Sequence, residues 1–149
     1  MNNILFLDFD GVIRVTPDGC IHNTVAKAEF CPRRISYIES FCSTHNIKIV
    51  VSSDWRNLDN KDRIIELLGN KLASHLHEDW STPICGQRYE EVERWLDEHE
   101  VGKFAVLEDS EFHFPKSVTN STIFNNIIWC EWSEGIQLHH FTKLEEIFN

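Results

Sequence analysis

The sequence predicts an α/β fold in which a mostly parallel central sheet lies between two layers of helices. Short apolar runs, several of them rich in β-branched residues, alternate along the chain with longer segments whose apolar residues recur at helical spacing. This alternation is typical of parallel sheets, because each crossover between parallel strands needs room for a helix. The 149 residues suffice for one domain, which we expect to span residues 1–149.

The strands are predicted from apolar runs bounded by polar residues. Residues 3–8 form the first such run, and residues 47–51 and 103–107 form two more. Residues 127–129 are a shorter run of the same kind. The segment 72–80 is ambiguous, and we favour a short strand within it.

Helices are predicted from helical periodicity together with start and stop signals. Pro32 suits the first position of a helix, where its missing N–H costs nothing. Asp59 or Asn60 is placed to cap the next helix, and Gly69 to end it. The predicted helices cover residues 32–44, 60–68, 86–99 and 138–148.

Composition and charge narrow the class of protein. The net charge of −10 argues against broad attraction to nucleic acid or anionic membranes. No segment approaches the ~20 apolar residues of a membrane span, and residues 1–3 lack the basic region of a secretory signal. We therefore expect a cytoplasmic protein with no membrane partner. The five cysteines form no CxxC pair, so we interpret them as reduced thiols and leave a zinc site as an open alternative.

Polar side chains follow the predicted strands at the points where the strands end. In a parallel α/β sheet these ends meet at one edge, where ligands bind. Clustered carboxylates favour Mg²⁺, and hydroxyl and guanidinium groups are donors suited to phosphate oxygens. The combination predicts phosphoryl transfer to a carboxylate nucleophile. The residues concerned are Asp8, Asp10, Ser52, Ser53, Arg88, Glu108 and Asp109.

Four stretches follow one another along the chain: LFLDFDGVI, IKIVVSSDWR, GQRYEEVERWL and KFAVLEDS. In this order they resemble the four motifs of the haloacid dehalogenase (HAD) superfamily phosphatases. The resemblance covers nearly the whole chain and implies a Rossmann-like three-layer sandwich. It is closest to small, cap-poor members, because residues 14–31, which include a turn expected at 17–19, are too few for a full cap domain after the first motif. The serine, tryptophan and arginine of the second motif also resemble HAD domains associated with nucleic-acid repair proteins.

The resemblance implies a role for each of these residues. Asp8 would be the nucleophile that forms an aspartyl-phosphate. Asp10 would protonate the leaving group and then act as the base for the hydrolytic water. Ser52, or Ser53 if the strand runs one residue further, would bind the phosphoryl group. The implied phosphate-binding set is Phe9, Ser52, Ser53 and Arg88.

The resemblance also implies Mg²⁺ as cofactor, held by Asp8 and Asp10 together with Glu108 and Asp109. Two residues depart from the common pattern, because the fourth motif more often reads Asp-Asp and the basic residue is more often lysine than Arg88. Whether Glu108 or Asp109 is the main ligand stays open at this point. Candidates for the substrate cleft are Arg14, Trp55 and Arg56.

The predicted function is Mg²⁺-dependent hydrolysis of a phosphate monoester through an aspartyl-phosphate. The expected substrate is a phosphorylated small molecule or a nucleic-acid end, with a nucleotide or nucleic-acid end favoured and no extended nucleic-acid-binding surface. One alternative is a catalytically weak HAD-fold domain that binds phosphate or a partner, although such a domain has no need for both Asp8 and Asp10. Another is phosphoryl transfer to an acceptor other than water.

Overall fold

A computed structural model describes residues 1–15, 30–57 and 60–149. The described residues form one five-stranded sheet in which every pair of neighbouring strands is parallel. The strands are β1 (Asn2–Leu7), β2 (Ile47–Val51), β3 (Leu76–Ser81), β4 (Val101–Glu108) and β5 (Ile127–Trp129). Their order across the sheet is β3-β2-β1-β4-β5. The predicted α/β class and parallel sheet are confirmed.

Helices connect the strands and cover both faces of the sheet. The α-helices of the described residues are α1 (Pro32–His45), α2 (Lys61–Leu68), α3 (Asn70–Ala73), α4 (Arg88–Asp97), α5 (Ser121–Asn125) and α6 (Leu138–Phe148). Short 3-10 helices, Asp54–Asn57 and Glu111–His113, follow the carboxyl ends of β2 and β4. The described residues contain no large cap domain, in agreement with the prediction.

The alternation of side chains along β1 divides the core into two clusters. Leu5 and Leu7 point into one cluster with residues of α1, α2 and α6. Ile4 and Phe6 point into the other with residues of α4 and α5. Because successive strand residues face opposite sides of a sheet, the central strands are buried on both faces. The result is the three-layer sandwich that the resemblance implied.

The structure corrects two details of the predicted secondary structure. The short strand favoured within 72–80 is present as β3, but it starts only at Leu76, because the segment begins with the end of α3. Gly69, with φ of +84°, ends α2 and permits the sharp turn into α3. Helix α5 was not predicted, because five residues are too few to show a helical period. Asn60 accepts the N–H of Arg63 and caps α2, whereas Asp59 and the turn expected at 17–19 lie outside the described residues.

No helix among the described residues combines the length and the apolar character needed to cross a bilayer.

Candidate active site

The carboxyl ends of β1, β2 and β4 lie side by side and bring the predicted site residues to one edge of the sheet. The N–H of Ser52 donates to the carbonyl of Leu7 at 3.0 Å. On the other side of β1, the N–H of Asp8 donates to the carbonyl of Leu107 at 3.3 Å. Asp8, Ser52 and Glu108 are therefore neighbours in the sheet although they are far apart in the sequence.

The turn after β1 is tight and closes around the carboxylate of Asp8. Asp8 Oδ1 accepts the N–H of Phe9 at 2.8 Å, and the carbonyl of Phe9 accepts three backbone N–H groups of the following turn. Gly11 has φ of +80°, and a Cβ there would lie 2.1 Å from Asp109 Oδ2. The turn thus requires glycine both for its backbone conformation and for the close approach of Asp109.

Arg88 lies buried between three carboxylates. Its Nη1 atom is 3.2 Å from Glu108 Oε1 and 3.7 Å from Asp8 Oδ1. Its Nη2 atom donates to Asp54 Oδ1 at 3.0 Å. Arg88 is the first residue of α4, whose start is held by a capping box between Gln87 and Glu90. The helix start therefore places this guanidinium beside the predicted nucleophile.

Glu108 and Asp109 have different surroundings. Glu108 is fully buried, and its Oε2 atom accepts the N–H groups of Asp109 and Ser110 at 3.1 and 3.2 Å. His113 Nδ1 lies 3.1 Å from the same oxygen. Asp109 packs instead against Gly11.

Among the described residues, the side chains of Asp8, Glu108 and His113 are placed to hold a metal ion together. One ligand atom from each lies within 4.8 Å of the others. Sequence reasoning missed His113, because a lone histidine in a loop carries no spacing signal. Its only hint was its position shortly after the acidic fourth motif.

Burial shifts the pKa values of Asp8, Glu108 and His113. Burial raises the pKa of Asp8 well above its usual range, and the neighbouring Glu108 adds to the effect while Arg88 opposes it. Burial also raises the pKa of Glu108 to about 7, again against the pull of Arg88. Burial lowers the pKa of His113, and Arg88 lowers it further. The carboxyl groups of Asp8 and Glu108 thus share the single guanidinium of Arg88. When both are ionised, their combined negative charge exceeds that one positive charge, and a divalent cation would balance it.

Asp10 lies in a more open position and is held by two of the predicted cleft residues. Its Oδ1 accepts from Arg14 Nη1 at 2.9 Å, and its Oδ2 accepts from Trp55 Nε1 at 2.9 Å. The Arg14 guanidinium lies 5.7 Å from the centre of the Trp55 ring. The Asp10 side chain remains 57% exposed. Arg14 and Trp55 therefore orient this carboxylate, and their place in a substrate cleft stays a prediction.

The two serines after β2 differ in their contacts. Ser53 Oγ accepts the N–H of Trp55 at 3.3 Å and opens the 3-10 helix. Ser52 is fully buried, and its hydroxyl has no hydrogen-bond partner among the described residues. A buried hydroxyl without a partner is unusual in a folded protein. Ser52 is therefore the serine whose hydroxyl is not used by another group of the described residues.

The structure does not bring Arg56 to the cleft. Its guanidinium is buried and donates to the carbonyls of Thr82 and Ser53 at 3.2 and 2.7 Å. The remaining nitrogen pairs with the buried carboxylate of Glu91. Arg56 thus connects the turn after β2 to α4 and to the segment after β3, which is a structural role.

The parallel sheet, the acidic turn after β1 and the buried arginine together define a HAD-type domain. The family model for the HAD domain in Swiss Army Knife RNA repair proteins matches residues 4–141. The chain therefore belongs to this family, within a superfamily of phosphatases and other hydrolases. Comparisons with curated proteins and with solved structures found no match. The matched range contains every site residue described above.

Proposed function

We propose that this protein is a Mg²⁺-dependent phosphatase that hydrolyses a phosphate monoester at a nucleotide or nucleic-acid end. The observation that supports it most directly is the buried carboxylate of Asp8 with the Arg88 guanidinium 3.7 Å away. A buried carboxylate beside a cation and an unpartnered hydroxyl, that of Ser52, suits attack on a phosphoryl group.

The proposed reaction proceeds in two displacements. An Asp8 carboxylate oxygen attacks phosphorus, a new O–P bond forms, and the bond from phosphorus to the leaving oxygen breaks as Asp10 donates a proton to that oxygen. Water then attacks the aspartyl-phosphate and gives a proton to Asp10, and the bond from phosphorus to Asp8 breaks. Arg88 and Ser52 donate hydrogen bonds to the non-bridging oxygens throughout.

Asp8 and Glu108 would hold the metal in this proposal, with His113 beside them and Asp10 and Asp109 at the edge of the site. When bound, Mg²⁺ neutralises charge on the phosphoryl oxygens. The raised pKa values of Asp8 and Glu108 support this assignment, because burial disfavours the charged carboxylates and a bound cation would stabilise them.

Two observations support a nucleotide or nucleic-acid end as the substrate class. The matched family is described from RNA repair proteins, and the described residues contain no large cap domain that would close the site over a small molecule. The net charge of −10 favours contact with only the last nucleotides of a strand.

The proposal is tested by phosphate release from a panel of aryl phosphates, nucleotides and oligonucleotides with a 3′ or 5′ phosphate. We expect release that requires Mg²⁺, stops with chelator and falls at least ~10⁴-fold in Asp8→Asn, because the nucleophile is lost. Asp97→Asn, an exposed acid at the end of α4, serves as the control and keeps full activity. Folded, Mg²⁺-loaded protein that releases phosphate from no member of the panel would instead favour the binding-domain alternative.

A further inference from the structure

An open groove lies on the segment that follows the acidic fourth motif. Its volume is about 510 Å³, which is within the usual size of small-ligand pockets. We call it the Phe112 groove, and its lining residues are Glu111, Phe112, Phe114, Pro115, Lys116 and Phe124.

The Phe112 groove adjoins the candidate active site. The ring of Phe112 lies 6.4 Å from the ring of His113, measured between centroids. The same His113 ring reaches Glu108 with its Nδ1 atom. The groove therefore begins one residue away from a side chain that contacts the buried carboxylate of Glu108.

Phe112 is not explained by packing. Its side chain is 81% exposed, whereas Phe114, two residues later, is completely buried in the core. Phe124 is half-buried, and the Lys116 ammonium lies 5.9 Å from the centre of its ring. Phe112 is thus the aromatic ring of the groove with an open face, and nucleic-acid bases stack on such faces.

Lys116 supplies positive charge in a chain with a net charge of −10. It is exposed and lines the same groove as Phe112. Glu111, the carboxylate of the lining, cannot pair with phosphate, so any phosphate contact in the groove falls to Lys116.

Building on the proposed function, we infer that the Phe112 groove binds the nucleoside next to the phosphate that is hydrolysed. The base stacks on Phe112, and Lys116 pairs with the following phosphate of the strand. Because a mononucleotide has no such second phosphate, this arrangement selects the end of an oligonucleotide over a free nucleotide.

Binding is measured in the Asp8→Asn background, which blocks turnover, with short single strands that carry 2-aminopurine beside a terminal 3′ or 5′ phosphate. Stacking on Phe112 quenches the fluorescence. We expect Phe112→Ala to weaken binding about 10-fold or more and to lose the quench. Phe112→Tyr restores both, because it keeps the ring.

Two further variants separate the lysine contact from general effects on the loop. Lys116→Met should leave mononucleotide affinity unchanged and reduce the slope of log K against log salt for oligonucleotides by about 0.7, the value for one phosphate contact on a single strand. Val118→Ala, an exposed apolar residue of the same segment that does not line the groove, should behave like the parent.

Equal affinity and quench in Phe112→Ala and Val118→Ala would overturn the inference. So would a loss caused only by Trp132→Ala, which removes another exposed aromatic ring, one that follows β5. Turnover of an alkyl phosphate, which has no ring to stack, tests the enzyme separately. Val118→Ala should hydrolyse it at the wild-type rate. If the wild-type protein is inactive on every ester, the proposed function is refuted. The binding measurement still shows in that case whether the Phe112 groove binds the nucleoside.

Discussion

Ser52 and Ser53 are adjacent in the sequence and yet have opposite roles in the structure. Ser53 uses its hydroxyl to hold the backbone of Trp55, so its contribution is to local folding. Ser52 keeps a buried hydroxyl without a partner among the described residues, and this costs free energy in the unliganded protein. Because its buried hydroxyl destabilises the unliganded protein, Ser52 is the serine that we expect to form a hydrogen bond with a bound ligand.

Replacing the two serines by alanine should therefore give different results. Ser52→Ala removes a donor to the phosphoryl group and should lower kcat/KM ~10²-fold without lowering the free energy of unfolding. Ser53→Ala should leave kcat/KM within a small factor and lower the free energy of unfolding by about 0.5–1.5 kcal/mol. Steady-state kinetics and urea unfolding measure both. The reverse pattern would assign the phosphate contact to Ser53.

The turn between β1 and the following segment shows how one element depends on another. Gly11 adopts a left-handed conformation and lies against Asp109, which follows β4. Neither β1 nor β4 alone determines this contact, because it forms only where the two parallel strands end side by side. The acidic fourth motif is thus positioned by the shape of the first.

Gly11→Ala and Gly69→Ala form a matched pair for testing this dependence. Both glycines have φ near +80°, but a Cβ at Gly69 would meet nothing within 4 Å. Both variants should lose ~1–2 kcal/mol of stability from backbone strain. Gly11→Ala must also displace the Asp109 side chain, so it alone should weaken the rise in Tm that Mg²⁺ produces. Equal Mg²⁺ responses in the two variants would contradict the role given to this contact.

The packing of the whole folded chain determines the pKa values of Asp8, Glu108 and His113. The folded pKa of Glu108 is about 7 against an ordinary value of 4.5. Without metal, the folded protein therefore holds a proton between these pH values that the unfolded chain has released. Stability then falls as the pH rises through this window, by at most about 3 kcal/mol. The raised pKa of Asp8 acts in the same direction, and the lowered pKa of His113 opposes them below its ordinary value of 6.5.

Mg²⁺ should reverse this pH dependence. Binding requires deprotonated carboxylates, so the rise in Tm on adding Mg²⁺ should be larger at pH 8 than at pH 5.5. Thermal unfolding with Mg²⁺ and with chelator at both pH values measures it. Glu108→Gln has no carboxyl proton to release at this position. Without metal, its stability should therefore fall less with rising pH than that of the wild type. Equal increments at the two pH values in the wild type would argue against a metal held by these carboxylates.

Much of the fold and part of the site follow from local features of the chain. The apolar runs that form β1, β2 and β4, and the polar residues directly after them, are visible in the sequence because strand and turn preferences act over a few residues. The same holds for the start of α4, and hence for Arg88. The motif order then predicted the sheet edge at which these residues meet.

Other features depend on packing between distant segments. Arg56 and Arg88 are both arginines next to motif residues, but one guanidinium is enclosed by backbone carbonyls and Glu91, whereas the other lies beside Asp8. Sequence cannot distinguish these environments, because burial and hydrogen-bond partners are set by residues far along the chain. The approach of His113 to Glu108 and the raised pKa values arise for the same reason, since desolvation exists only once the layers have packed.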